Sequence, residues 1–309
     1  MVSVIIPAYN RPDLLDITLT SVKQQTLTEY EIIIIDDCSQ DNKIRDIANK
    51  YSCTYIKNKT NLGAQVSRNI GIQKAKFDYI AFLDSDDIWN DKNKLSVQHN
   101  LLVNNKSVSL VFTRLEYINI TGLVQNTQKG INDIEMYSFK KEILRKDFIG
   151  TYSSVMVRKK DILKVGMCST ELPARQDWDL WIKLSALGSA YKFNTITTQY
   201  RIHDEQISSN FNNKFIGYIA VLKKNYPYYK EEKVMLSLML HFVKILFGIK
   251  FYKLTPIYKN ELQELDKTTY KRANVLFKSV MLIIKIPVFK QLFFKKLSKT
   301  YLFKGIIKS

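Results

Sequence analysis

Glu31-Ile32-Ile33-Ile34-Ile35-Asp36 is the stretch that decides the fold. Four consecutive isoleucines leave no polar face. Such a strand has to be covered on both sides, as in a parallel sheet sandwiched between helices. Upstream, Val2-Ser3-Val4-Ile5-Ile6-Pro7 is a second short apolar run, ended by proline. Asn10-Arg11-Pro12-Asp13 then starts a helix. Asn10 is the expected N-cap, Pro12 is tolerated in the first turn, and Asp13 suits the helix dipole. Leu15, Leu19 and Val22 follow at helical spacing. Downstream the alternation continues: helix over 41–50, strand over 54–57, helix over 65–74, strand over 79–83, helix over 93–103 and strand over 108–113. This order specifies an α/β fold built on a mostly parallel, doubly wound sheet. Ligands of such sheets bind at the carboxyl ends of the strands, and there lie Tyr9-Asn10, Asp36-Asp37 and Asp84-Ser85-Asp86-Asp87.

Residues 115–146 read as mixed loops and helix, and 177–187 as helix. Two apolar stretches studded with lysine, 234–251 and 273–297, follow. The expected boundary is near Tyr226-Pro227, giving an α/β domain over 1–225 and a helical, basic region over 226–309. The 309 residues are 46% hydrophobic, ordinary for a folded protein, but the net charge of +18 is not ordinary and points to an anionic partner. No Asp or Glu follows Asp266, so much of the excess belongs to the C-terminal tail. Cys38, Cys53 and Cys168 are widely spaced, which fits neither a disulfide set nor a zinc site and agrees with a reducing cytoplasm. The chain opens directly into a strand with no signal-peptide pattern, and no uncharged apolar run is long enough for a conventional membrane span.

The strongest chemical feature is Phe82-Leu83-Asp84-Ser85-Asp86-Asp87. Three carboxylates in four residues repel one another unless a cation neutralises them. A divalent metal with oxygen ligands does so and bridges to a diphosphate; an acidic turn capping the next helix is the alternative. Three further motifs accompany it: Pro7-Ala8-Tyr9-Asn10, Ile35-Asp36-Asp37-Cys38-Ser39-Gln40-Asp41, and Asn61-Leu62-Gly63-Ala64 leading into Ser67-Arg68-Asn69-Ile70-Gly71. With these four motifs in order, residues 2–209 resemble glycosyltransferase family 2, whose fold is GT-A.

The resemblance implies a role for each matching position. Pro7 and Tyr9 would line a uridine pocket, Asp37 or Asp36 would bind the base, and Arg68 would sit near the nucleotide. Asp84 would contact the ribose, with Ser85 beside it, and Asp86 would ligate Mn²⁺ or Mg²⁺. In Arg175-Gln176-Asp177-Trp178-Asp179 the family's Glu-Asp pair is altered to Gln176-Asp177. Asp177 would be the catalytic base, with Asp179 as rival, and Gln176 and Trp178 would lie on the acceptor side. In Tyr200-Arg201-Ile202-His203, His203 would complete the metal site, and Arg201, Ser208 or Ser209 would bind the diphosphate. The implied reaction is inverting transfer from a UDP-sugar to a glycan or lipid-linked glycan, in cell-surface polysaccharide synthesis.

The C-terminal stretch over 273–297 mixes apolar residues with lysines. It reads either as a basic amphipathic surface for anionic lipid, on the inner face of the cell membrane, or as a helical subdomain packed on the enzyme or on another copy. A nucleotidyltransferase would carry a Gly-rich basic loop where Pro7–Asn10 stands. A nucleic-acid binder would need a recognisable module among the lysines.

Overall fold

The computed structural model describes residues 1–128, 134–136, 138–203, 211–251 and 257–284. The strands are β1 (Val2–Ala8), β2 (Tyr30–Asp36), β3 (Thr54–Lys57), β4 (Tyr79–Phe82), β5 (Ile88–Trp89), β6 (Val108–Ile118), β7 (Val124–Thr127), β8 (Ile134–Met136), β9 (Val155–Arg158) and β10 (Ser189–Arg201). They form one sheet in the order β3-β2-β1-β4-β9-β6-β10-β5, with β7 added to β6 and β8 to β10. The first four are mutually parallel. β9 runs antiparallel between β4 and β6, and β6 and β10 are again parallel. The mostly parallel half is therefore the half anticipated from the isoleucine run. Ile33, Ile34 and Ile35 are fully buried.

Helices α1 (Pro12–Lys23), α2 (Lys43–Lys50), α3 (Ala64–Lys74), α4 (Lys94–Asn104), α5 (Phe139–Arg145), α6 (Lys159–Lys164) and α7 (Gln176–Ser185) are interleaved with the strands. Leu15, Leu19 and Val22 of α1 are buried, as their spacing requires. The cap differs from expectation. Arg11 occupies the N-cap position without a side-chain hydrogen bond. Asn10 instead adopts a left-handed backbone, φ 51°, and its Oδ1 accepts the Gln40 N–H at 3.0 Å. α3 packs so closely on the sheet that a methyl group on Gly71 would lie 2.5 Å from Ile5 Cγ2 and 2.8 Å from Ile35 Cδ1. Glycine there is a matter of space.

Residues 115–146 contain more strand than expected. β6 continues to Ile118 and turns back as β7, with β8 and α5 beyond. Along Arg114–Ile118 buried and half-exposed residues mix, which dilutes the apolar signal.

Lys94 opens α4 entirely out of solvent, its Nζ donating to Gln98 Oε1 and lying 4.7 Å from the centre of the Trp89 ring. Burial pushes its pKa from 10.5 down to about 7, against the pull of Asp91. The unfolded chain protonates this lysine readily below 10.5, whereas the folded chain resists until about 7. Stability therefore rises with pH across that window, at most about 1.4 kcal/mol per pH unit. Lys94→Met is expected to flatten this rise. Urea midpoints of the two proteins at about pH 7 and about pH 10 check it, and parallel shifts would contradict it.

The chain divides into two compact units, Met1–Asn213 and Lys214–Ser309. The second holds α8 (Phe211–Lys224, but for its first residues), α9 (Tyr226–Glu231), α10 (Met235–Phe251), α11 (Ile257–Leu265) and α12 (Lys267–Ile284). α8 is thus grouped with the helical unit, whereas the sequence reading counted it with the first domain. Among the described residues, no helix is long and apolar enough to cross a membrane.

Candidate functional site

Parallel pairing brings the ends of β1, β2 and β4 to one edge. Asp37 N–H donates to Ala8 O at 2.8 Å and Asn10 N–H to Ser39 Oγ at 3.0 Å, which joins the first two loops. Pro7 is buried in β1 opposite Ile35, and Tyr9 stands 43% exposed beyond it. The Asp37 carboxylate accepts from Asn58 Nδ2 at 2.8 Å, Leu62 N–H at 2.9 Å and Gly63 N–H at 2.7 Å. It thereby fixes the entry to α3, where Gly63 has φ 87°, a region strained for any residue with a side chain. Asp36 is fully buried, accepting from Ser39 N–H at 2.8 Å and Tyr55 OH at 2.6 Å. It has no surface to offer a nucleobase. Its place in the base-binding set is corrected to that of a loop anchor.

Each acid of the Asp84–Asp87 cluster has its own partner. Asp84 Oδ1 pairs with Arg68 Nη2. Asp86 Oδ2 receives Arg11 Nη1 at 2.9 Å and His203 Nε2 at 2.8 Å. Asp87 is fully buried and accepts from Ser153 Oγ at 2.5 Å and from Arg201 N–H at 2.9 Å. Burial, then Asp86 and Asp84, push the Asp87 carboxyl well above its ordinary range. Burial likewise raises Asp84, and Arg68 pulls it back. Hence protein cations and hydroxyls already let these acids coexist. Ser85 is 8% exposed between them. Arg68, 4% exposed, lies with its guanidinium carbon 4.1 Å from the centre of the Tyr152 ring, and its Nε is buried without a hydrogen-bond partner.

Arg201 is 2% exposed. Its Nε donates to Asp86 O at 2.8 Å, and its Nη1 to Asn119 O at 3.1 Å and Ile120 O at 2.8 Å. These contacts clamp the acidic loop to the β6–β7 hairpin. The diphosphate role expected of Arg201 is therefore corrected to a structural one, because this guanidinium is buried on carbonyls. Ser208 and Ser209 lie outside the described residues.

On the acceptor side, Asp177 sits in the first turn of α7, where its Oδ1 accepts the Trp178 N–H at 2.8 Å. Arg175, at the N-cap, has a left-handed backbone with φ 60°. Burial raises the Asp177 carboxyl; the Trp178 N–H, Arg175 and Arg68 oppose this, and Asp84 adds to it. Asp177, Arg68 and Asp84 thus belong to one electrostatic neighbourhood. Asp179 is fully buried and held by Ser169 Oγ and by Lys183 Nζ at 3.3 Å, so it cannot meet an acceptor. Gln176 braces its own loop by donating to Leu172 O at 2.7 Å. Trp178, 1% exposed, donates its indole N–H to Ile143 O at 2.8 Å. The acceptor-side place expected of Trp178 is corrected to core packing, and Trp181 is buried likewise.

Several participants are absent from the sequence reading. Arg11 follows the first strand-end motif directly and was read only as part of a helix start. Ser153 and Tyr152 come from a 3-10 turn before β9, distant in sequence. Asp147 stands alone in a loop. Burial, then the charge of Asp177, push its carboxyl up to about 7.

Comparison with known proteins places the chain in a family. The family model described as "Glycosyl transferase family 2" matches residues 3–166. The putative teichuronic acid biosynthesis glycosyltransferase TuaG of Bacillus subtilis is 34% identical over 218 residues, covering 68% of this chain and 82% of that protein. The Escherichia coli UDP-Glc:alpha-D-GlcNAc-diphosphoundecaprenol beta-1,3-glucosyltransferase WfaP is 32% identical over 235 residues, 72% of this chain and 86% of its own. Among solved structures, S. aureus TarS 1-349 in complex with UDP-GlcNAc superposes with a TM-score of 0.65 at 18% identity, covering 91% of this chain and 84% of that one. That likeness concerns the fold, which is GT-A. With more than half the chain matched by the family model and relatives above 30% identity over two thirds of it, this chain belongs to glycosyltransferase family 2 and is a glycosyltransferase.

Proposed function

We propose that this enzyme transfers a sugar from a UDP-sugar to a hydroxyl of a lipid-linked glycan, with inversion, during cell-surface polysaccharide synthesis. The observation that carries the reading is the convergence of His203 Nε2 and Arg11 Nη1 on one oxygen of Asp86, beside the Arg68–Asp84 pair. The names of WfaP and TuaG and the UDP-GlcNAc complex of TarS support the donor and acceptor classes.

The donor set suits Mn²⁺ or Mg²⁺, combining a carboxylate with an imidazole. Among the described residues, no three His, Cys, Asp or Glu side chains form a metal site by themselves. Asp86 and His203 would hold such an ion only together with diphosphate oxygens and water, as is usual for Mg²⁺ in phosphate chemistry. When bound, the ion supplies Lewis acidity to the departing diphosphate. The remaining work falls to the chain. Arg68 has a buried donor, Nε, with no acceptor, and a nucleotide oxygen would satisfy it. Asp84 and Tyr9 would orient the nucleoside. Asp177 would accept the proton of the attacking hydroxyl, and Gln176 would keep the turn beneath it rigid. Family membership removes the nucleotidyltransferase alternative.

A UDP-release screen over donor sugars, with and without Mn²⁺, is expected to single out one UDP-sugar whose slow hydrolysis is stimulated by the ion. Calorimetry showing no affinity for any nucleoside diphosphate would refute the proposal.

A further inference from the structure

The net charge is concentrated in one unit. Residues 214–309 contain twenty Lys and Arg and five Asp and Glu, so they hold fifteen of the eighteen net positive charges. Within this unit α12 packs along α10, and among the described residues one seam between them is left uncovered. It holds a groove of about 470 Å³ lined by Met239 of α10 and by Lys271, Arg272, Val275, Leu276 and Ser279 of α12. Val275 is 66% exposed; on α10, Leu236 lies one helical turn before both Met239 and Leu240, and the two leucines are 67% and 45% exposed. Lys271 and Arg272 precede Val275 by one turn, so the charges border one end of an aliphatic strip.

We infer that this face of α10 and α12 docks on an anionic lipid bilayer. Leu236, Leu240 and Val275 enter the boundary between headgroups and acyl chains, and Lys271 and Arg272 meet the headgroup phosphates. Exposed apolar side chains beside basic ones are the signature of helices lying in the membrane interface. Aliphatic side chains offer nucleic-acid bases no stacking surface. A second copy of the chain would set its own Lys271 and Arg272 against the same basic face. A membrane contact is one of the two readings the sequence offers for residues 273–297; of these, 285–297 lie outside the described residues, and the face identified here adds α10. The inference deepens the lipid-linked acceptor reading, since that acceptor resides in a bilayer.

The test is flotation of the full chain with vesicles of phosphatidylcholine alone or mixed with phosphatidylglycerol. Recovery is expected with the anionic vesicles only, and it should fall as salt is raised. Leu236→Ser, Leu240→Ser and Val275→Ser combined, and separately Lys271→Gln with Arg272→Gln, should each weaken binding about tenfold or more. These side chains are exposed, so thermal melting should match the unaltered chain. UDP affinity, measured alongside, should stay constant; losing it in all proteins would sink the enzymatic reading without touching this one. Equal recovery with neutral vesicles overturns the inference, as does unchanged recovery of the aliphatic triple variant. A dimer in sedimentation velocity that the Val275 change abolishes, with no vesicle binding, also overturns it.

Discussion

Asp177→Asn is expected to cut kcat by about 10²–10⁴-fold, the usual contribution of a general base, while UDP affinity stays unchanged. The variant keeps the oxygen that accepts the Trp178 N–H but loses the basic lone pair. The same substitution should make the protein more stable near neutral pH. Asp177 ionises against burial and the charge of Asp84. In turn it helps push Asp147 up to about 7. A carboxyl whose folded pKa lies above its unfolded value costs stability as pH rises through that interval. A neutral amide at 177 removes one such charge and lets Asp147 ionise more easily. We expect a gain of about 1 kcal/mol at about pH 8, shrinking as pH falls and lost at about pH 3, below the ordinary carboxyl value of 3.8. Denaturant titrations at the two pH values, paired with single-turnover kinetics, check both halves. Full turnover by the variant would remove Asp177 from the mechanism, and equal stability at both pH values would break its link to Asp147.

Arg68→Met should be the most damaging of the substitutions considered, costing about 3 kcal/mol, the low end for breaking a buried pair, because it strands the Asp84 carboxylate, which keeps 26% exposure. Asp84 is pushed up by burial and by Asp86, and Arg68 is its principal counterweight. The guanidinium also covers the Tyr152 ring. Arg68→Lys should fall between, keeping the charge but not the planar stack. Adding Asp84→Asn to Arg68→Met should recover much of the stability and none of the transfer activity. Urea unfolding of the four proteins provides the comparison. If the double variant were no more stable than Arg68→Met, the stranded charge would not be the cause.

The sheet was legible because Ile32 to Ile35 admit only one environment, and because the helices between the early strands repeat the same alternation. The antiparallel part was not, since β7 and β8 are short and the end of β6 is only half buried. The candidate site follows the same division. Residues that abut strand ends, such as Asp84 and Asp86, were visible as a crowded run of one charge. Arg11 reaches Asp86 from 75 residues away, and no local pattern reports a partner so distant; His203, 117 residues away, is matched to Asp86 only through the family resemblance. Trp178 and Asp179 illustrate the opposite failure: their residue types invite a chemical role, and only burial shows them to be scaffold. Asp36 and Asp37 look equivalent in sequence, yet one anchors a turn beneath β2 and the other caps the approach to α3.

Arg201 joins the acidic loop to the β6–β7 hairpin through the carbonyls of Asp86, Asn119 and Ile120. Carbonyl oxygens are the same whatever side chain their residue carries. The tip of that hairpin can therefore drift in sequence, one substitution at a time, without loosening the acidic loop it braces. Descendants of such an enzyme are free to vary the hairpin while inheriting an unaltered acidic loop.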